Sequence, residues 1–370
     1  MTAHNWYTIT DTKDIITPSL VVYPDRIEKN IRTMIKMAGG VQRLRPHIKT
    51  HKMAQIVHLQ IKHGIEKFKC ATLAEAELLG KCGAKDILMA MQPVAANIER
   101  FFTLVQTFPD SNFSTLTDNL ETAGEIAKIA AEKFQKASLW LDINNGMDRT
   151  GICPDKTAQE LYKYIHHHPN LIASGLHVYD GHIRIQDPAE RKKACDRDFA
   201  SVLLLKDDLE NAGIPVPTIV AGGSPTFPFH AIRQGVETSP GTTLLWDAGY
   251  GDSFKDLEFL HAAVLLTRVI SKPNTGKVCF DLGHKWLASE MNFPRVQFLG
   301  VENWEQIGQS EEHFIVQYPQ ESELKVGHLA YAIPKHICPT VAKYDWVLTA
   351  VDGIITDSWK VAARDKKITI

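Results

Sequence analysis

The sequence is poor in cysteine, in net charge and in long apolar runs. Its 370 residues include six cysteines, Cys70, Cys82, Cys153, Cys195, Cys279 and Cys338, with no CxxC pair among them. That excludes a disulfide framework and points to a reducing, cytoplasmic setting. The formal net charge is −2, so no basic excess is available to neutralise phosphates, and a nucleic-acid partner is not expected. No apolar stretch approaches the ~20 residues of a membrane span. The N-terminal MTAHNWYTITDTKD lacks a basic region followed by an apolar run, so neither a membrane partner nor a signal peptide is expected. What is present is globular composition, 44% hydrophobic and 23% charged, enough for a large core. At roughly 150 residues per domain, the length suggests two domains, or one large barrel with an appendage.

Short apolar runs alternate with helical periodicity through the first two thirds of the chain. Ser19 to Tyr23 reads as a strand, and the apolar residues Ile27, Ile31, Met34 and Ile35 recur at helical spacing behind it. Val41 to Ile48 looks extended. Strand-like and helical stretches then follow in turn, from Lys67 to Ala71 as far as a long helix at Pro188 to Ala212 and a strand at Thr218 to Ala221. Strict β/α alternation predicts a parallel sheet with helical crossovers, and close to eight strands between Leu20 and Trp246 favour an α/β (β/α)8 TIM barrel. After Leu244 strands follow one another with little helix between them, which predicts a C-terminal β-rich domain. The expected division is a barrel at 17–248 and a β domain at 249–370, with residues 1–16 joining the latter. His166-His167-His168 reads as a solvated helix end.

Barrel chemistry collects at the C-terminal ends of the strands, and four segments fit such positions. In Arg45-Pro46-His47-Ile48-Lys49-Thr50-His51-Lys52 an extended backbone puts His47, Lys49 and His51 on one face. A lysine facing inward there must be paired or used, and one use is a Schiff base with pyridoxal phosphate. From spacing alone the segment reads equally well as a basic surface turn. In Leu141 to Gly151 a strand runs into a polar loop whose Arg149 is able to aim at an anionic oxygen, or at solvent. Ala221-Gly222-Gly223-Ser224-Pro225-Thr226 follows an apolar strand, and its N–H and hydroxyl donors suit a phosphate. In Pro334-Lys335-His336-Ile337-Cys338-Pro339-Thr340, His336 and Cys338 project to one side of an extended segment; imidazole plus thiolate suits zinc, with positions left open for water or substrate. An inert cysteine in a turn fits the same pattern.

Taken in order, these segments resemble the metal-activated D-threonine aldolase and D-serine dehydratase family, which belongs with the alanine-racemase-type pyridoxal phosphate (PLP) enzymes of fold type III. The resemblance spans nearly the whole chain. It includes Thr17-Pro18-Ser19-Leu20-Val21-Val22, RPHIKTHK at 45–52, ATLAEAE at 71–77, GLHVYDGH at 175–182, ETSPGT at 237–242, SEEH at 310–313 and PKHICPTV at 334–341. It implies a barrel plus C-terminal β domain, a homodimer, PLP, a divalent metal (Zn, or Mn or Mg) and a small D-amino acid substrate. Lys49 matches the Schiff-base lysine, and Arg149 the arginine facing the cofactor's phenolic oxygen. Tyr179 lies in the ring-side segment. Gly222, Gly223 and Ser224, with Gly241 and Thr242, match phosphate-binding turns, and His336 and Cys338 match the metal pair. Two stretches depart from the pattern: GGSPTF, where a turn richer in Gly and Thr is usual, and Thr242-Thr243, near which a tyrosine is common.

The family's chemistry implies a lyase acting on 3-hydroxy-D-amino acids. In a D-serine dehydratase-like β-elimination, Lys49 removes the Cα proton while the metal polarises the departing hydroxide. In a D-threonine aldolase-like cleavage to glycine and an aldehyde, a base takes the hydroxyl proton, with His51 and His182 as candidates. A cysteine at the second metal position goes with the dehydratases, so Cys338 favours elimination. An amino-acid racemase is the further alternative. It needs a second base facing Lys49 and no metal.

Overall fold

The computed structural model describes residues 5–319 and 324–370. The chain divides into two compact units. One comprises Met34–Lys49, Val57–Gly241 and Asp365–Ile370; the other holds the chain as far as Thr33, Thr50–Ile56 and Thr242–Arg364.

In chain order β1 (Ser19–Val22), α1 (Pro24–Ala38) and α2 (Ala54–Lys62) precede a regular alternation. That alternation runs β2 (Lys67–Cys70), α3 (Leu73–Lys81), β3 (Asp86–Met89), α4 (Ala96–Thr107), β4 (Asn112–Thr117), α5 (Leu120–Glu132) and β5 (Ala137–Ile143). It continues α6 (Lys156–His167), β6 (Leu171–Val178), α7 (Pro188–Asn211), β7 (Ile219–Ala221), α8 (Phe227–Ala231) and β8 (Val236–Thr238). Local signals fix the helix starts. Thr72 accepts the Glu75 N–H ahead of α3, Asn119 that of Thr122 ahead of α5, and Asp187 that of Glu190 ahead of α7, where Pro188 opens the first turn.

Strands β2 to β8 form one parallel sheet in sequence order. Its two edges meet through residues 44–47: Leu44 bridges Thr238 of β8, and His47 bridges Lys69 of β2. The Arg45 N–H donates to the Thr238 carbonyl at 2.8 Å, and the Lys69 N–H donates to the Pro46 carbonyl at 2.9 Å. This short extended stave is the eighth of the barrel. The buried Arg45 beneath it is fully paired, its guanidinium forked onto Asp86 at 2.6 and 2.8 Å and bonded to Glu237 at 2.8 Å. A buried cation is tolerated only in such company. Leu88, Leu116, Trp140 and Val220 make one cluster of the interior, each contributing roughly 2 kcal/mol of burial.

The expected barrel is there, but its first stave is not Ser19–Val22. Strand β1 lies in the other unit's sheet, antiparallel to β9 (Ala263–Asn274) and parallel to β15 (Trp346–Val351). A four-residue apolar run states that a strand is buried without naming its partner. In the compact units the chain up to Thr33, residues 50–56 and residues 242–248 go with the β sheet, and 365–370 with the barrel. The β-rich sheet has the order β12-β13-β10-β9-β1-β15-β16. It adds β10 (Lys277–Phe280), β12 (Glu305–Gln309), β13 (Phe314–Gln317) and β16 (Ile354–Lys360) to those named. Strand β14 (Leu329–Pro334) pairs with β9 and with β11 (Val296–Phe298). Two short helices, α9 (Ala248–Ser253) and α10 (Ile337–Val341), complete the unit. Among the described residues no helix is long and apolar enough to cross a membrane.

Candidate active site

In the barrel, candidate residues gather around Tyr179, the residue after β6. Lys49 Nζ lies 5.6 Å from the centre of its ring, and the Arg149 guanidinium carbon lies 4.9 Å from it. Lys49 follows the closing stave and Arg149 follows β5, so both come from the C-terminal ends of strands. Residues Ile48–Thr50 form a single 3-10 turn rather than extended chain, so His47, Lys49 and His51 do not share a strand face. The turn is pinned locally: His47 Nδ1 accepts the Lys49 N–H at 3.2 Å.

A third cation that sequence reasoning missed faces the same ring. Lys69 Nζ is 5.7 Å from the Tyr179 centre. It also lies 3.1 Å from His177 Nε2, whose Nδ1 is 2.7 Å from an Asp142 carboxylate oxygen. All three residues are buried. Burial works against the charge on Asp142, but hydrogen bonds from His177, Thr150 and Gln92 outweigh it and hold the carboxyl below its usual range. Burial, then the charge on Lys69, hold His177 below the usual imidazole range against the opposing pull of Asp142. Burial, then the charge on Lys49, lower Lys69 to about 7. The available sequence signal was the charge inside KFKC, a run whose last three residues are all buried.

The glycine turn after β7 works differently from expectation. The Gly222 N–H donates to the Val178 carbonyl at 3.1 Å and the Gly223 N–H to Thr226 Oγ1 at 3.0 Å, so both are used within the fold. The glycines supply room instead. Gly222 has φ +80°, and a Cβ on it would lie 2.9 Å from the His230 ring; one on Gly223 would lie 3.2 Å from the Tyr179 ring. Ser224 and Gly241 do meet, the Gly241 N–H donating to Ser224 Oγ at 3.1 Å. Behind the turn, Asp180 accepts from the Thr226 hydroxyl at 2.7 Å and pairs with His230 Nε2 at 2.8 Å. Asp180, Cys195 and His230 bring three metal-capable atoms within 4.8 Å of one another. Both Asp180 oxygens already have partners, and burial, then the Asp180 charge, push the Cys195 thiol up to about 12. These residues form a hydrogen-bonded strut. His182 lies outside it, its Nε2 tied to Asp198 at 2.9 Å.

In the β-rich unit, His336 precedes α10 and Cys338 sits in its first turn, so this segment is not extended either. The two nonetheless interact, and His336 Nδ1 is 2.6 Å from Glu290. Burial opposes charge on the imidazole, but Cys338, Asp247 and Glu290 outweigh it and raise His336 to about 9. Cys338 Sγ lies 3.2 Å from the Thr50 hydroxyl and 3.6 Å from that of Thr242. Glu290 was not foreseen; nothing local marks it. His51 is fully buried, its Nδ1 accepting the Met53 N–H at 3.1 Å, and its Nε2 has no hydrogen-bond partner. Burial first, then Lys52, lower it to about 3.

These donor sets fit the expected groups. An amine and a guanidinium over one phenol ring, beside a turn whose wall has no side chains, suit a flat anionic aldehyde such as PLP. Imidazole and thiol side by side, with a carboxylate on the imidazole's Nδ1, suit a divalent metal.

Comparison with known proteins agrees. Residues 22–248 match the family model "Alanine racemase, N-terminal domain", and residues 262–350 match "Putative serine dehydratase domain". The 3-hydroxy-D-aspartate aldolase of Paracoccus denitrificans (strain Pd 1222) is 28% identical, covering 96% of this chain and 94% of that one. The crystal structure of D-threonine aldolase from Filomicrobium marinum superposes with a TM-score of 0.88 at 25% identity, over 94% of this chain and 96% of that one. The D-threo-3-hydroxyaspartate dehydratase of Delftia sp. HT23 has the same fold, with a TM-score of 0.82 at 22% identity over 94% and 97% of the two chains; one of its variants, with a cysteine replaced by alanine, is in a metal-free form. The chain belongs to the alanine-racemase-type family of PLP enzymes that includes D-threonine aldolase and D-serine dehydratase.

Proposed function

We propose that this protein is a PLP- and divalent-metal-dependent lyase acting on 3-hydroxy-D-amino acids, by a D-serine dehydratase-like β-elimination. The observation that carries the reading is the convergence of Lys49 and Arg149 on the Tyr179 ring. Bound through Lys49, PLP supplies an electron sink for the pair left at the substrate's Cα. The Lys49 amine would be the base for the Cα proton. Arg149 would pair with the cofactor's phenolic oxygen, Ser224 with Gly241 and Thr242 would receive its phosphate, and the Tyr179 ring would flank it. His336 and Cys338 would hold the metal, which would supply Lewis acidity toward a departing hydroxyl. A homodimer in the cytoplasm, with no nucleic-acid or membrane partner, is part of the reading.

Two observations favour elimination over retro-aldol cleavage, which needs a base for the hydroxyl proton. His51 at about 3 is a feeble one, and His182 Nε2 is committed to Asp198. The cysteine at position 338 points the same way. The aldolase relatives keep cleavage to glycine and an aldehyde as the second reading. A racemase would leave His336, Cys338 and Glu290 without a task. The test is a product assay with PLP, zinc or manganese, and D-serine or D-threonine. Pyruvate or 2-oxobutanoate plus ammonia is expected. Glycine and acetaldehyde from D-threonine would replace elimination with cleavage.

A further inference from the structure

Lys69 has no task in the chemistry above, yet it is placed where a lysine is costly. It is 3% exposed, and burying an ammonium is unfavourable unless it is paired or used. Its hydrogen-bond partner carries no counter-charge. The Asp142 carboxylate accepts from His177 Nδ1, which fixes the tautomer and turns the Nε2 lone pair toward Lys69 Nζ at 3.1 Å. The charged groups acting on Lys69 come from several elements. Lys49, just after the closing stave, and Arg45, within it, oppose its charge. Asp142 at the end of β5 and Asp180 after β6 favour it. Arg149 approaches the same Tyr179 ring and acts on His177. The balance brings Lys69 to about 7, where an amine exchanges its proton at neutral pH.

We propose that Lys69 is a further positioning residue of the cofactor site, a cation that can be switched off, seated by the Asp142–His177 pair and setting the charge felt by a ring bound among Lys49, Arg149 and Tyr179. The inference rests on the reading that this site takes PLP. Protonated, Lys69 favours an anionic phenolic oxygen on that ring and disfavours a protonated ring nitrogen; neutral, it lifts both biases. The proton is exchanged at Nζ, and His177, held below its usual range by burial and the Lys69 charge, is its hydrogen-bond partner.

The test is a pH titration of the absorbance of the PLP-loaded protein. The wild-type spectrum is expected to change with a midpoint near neutral pH. Lys69→Met is expected to hold the wild type's alkaline spectrum over the whole range. Lys69→Arg, charged at every pH, should hold the acid spectrum. His177→Gln keeps an acceptor but cuts the tie to Asp142, and should move the midpoint by about one pH unit. A midpoint that survives unchanged in the variants overturns the proposal, as does a wild-type spectrum with no transition near neutrality. Should Lys69→Met fail to fold, the Lys69→Arg comparison decides. Retention of PLP through gel filtration is scored separately. Wild-type protein that retains none overturns the cofactor reading and this proposal with it; PLP retained with an unmoved midpoint overturns the proposal alone.

Discussion

The Asp180 carboxylate holds the Thr226 hydroxyl at 2.7 Å, and that hydroxyl accepts the Gly223 N–H at 3.0 Å. The glycine turn is thereby tied to a buried carboxylate whose other oxygen pairs with His230 at 2.8 Å. Removing Asp180 takes from the buried His230 Nε2 its partner and from the buried Thr226 hydroxyl its carboxylate acceptor. Asp180→Ala should therefore cost about 3 kcal/mol in urea unfolding of the PLP-free protein. Thr226→Val removes only the hydroxyl; it should cost roughly 1–3 kcal/mol and weaken PLP binding about tenfold. Unchanged PLP affinity in Thr226→Val would mean that the turn does not depend on this strut.

The barrel, and its helices from α3 to α7, could be read from periodicity because each apolar run is local. Lys49, Arg149 and Tyr179 were readable through the motifs that hold them, and the fold brings them together. What stayed hidden depends on distance along the chain. Ser19–Val22 looked like a barrel stave because a buried strand has the same pattern in either sheet. Lys69, His177 and Asp142 lie on three different strands, and Glu290 is 46 residues from His336. No spacing rule connects such residues before the chain has folded. The glycine turn shows a different limit: GGS promised free N–H donors, but whether a donor is free depends on partners such as Thr226 and Val178 that the motif does not name.

Glu290 holds His336 through Nδ1 at 2.6 Å. A carboxylate on the second nitrogen of a metal-binding imidazole fixes the ring and raises its basicity, and losing it lowers metal affinity about 10–100-fold. Glu290→Gln is expected to behave in that way in a metal-buffered zinc titration. Cys338→Ala, which removes a donor outright, should lose more. Neither change should disturb the absorbance of bound PLP. Full metal content in Cys338→Ala would remove this pair from the metal reading.

Lys49 is the amine proposed to bond the cofactor and to move the Cα proton. Borohydride reduction of the wild type should fix one PLP covalently at Lys49, detected as a peptide mass shift. In Lys49→Ala that adduct should be absent, and turnover should fall by at least about 10²-fold, the lower end of what a positioned proton-transfer group contributes. An adduct at another lysine of the variant would show that Lys49 does not hold this role.

His51 makes acid the weak side of the β-rich unit. Its side chain is buried and neutral, with a folded value near 3, against about 6.5 in an unfolded chain. As pH falls below about 6.5 the unfolded state takes up a proton that the folded state refuses, so stability declines until about pH 3. The full loss is on the order of 5 kcal/mol, a large share of the roughly 5–15 kcal/mol that holds a domain folded. His51→Asn keeps an acceptor for the Met53 N–H but cannot titrate. Between about pH 6 and pH 4.5, the wild type should lose about 1.4 kcal/mol per pH unit more than the variant in urea unfolding. Carboxylates elsewhere titrate in both proteins and cancel in the difference. Parallel stability curves for the two would mean that the imidazole is protonated within the fold, and His51 would then regain its standing as a candidate base.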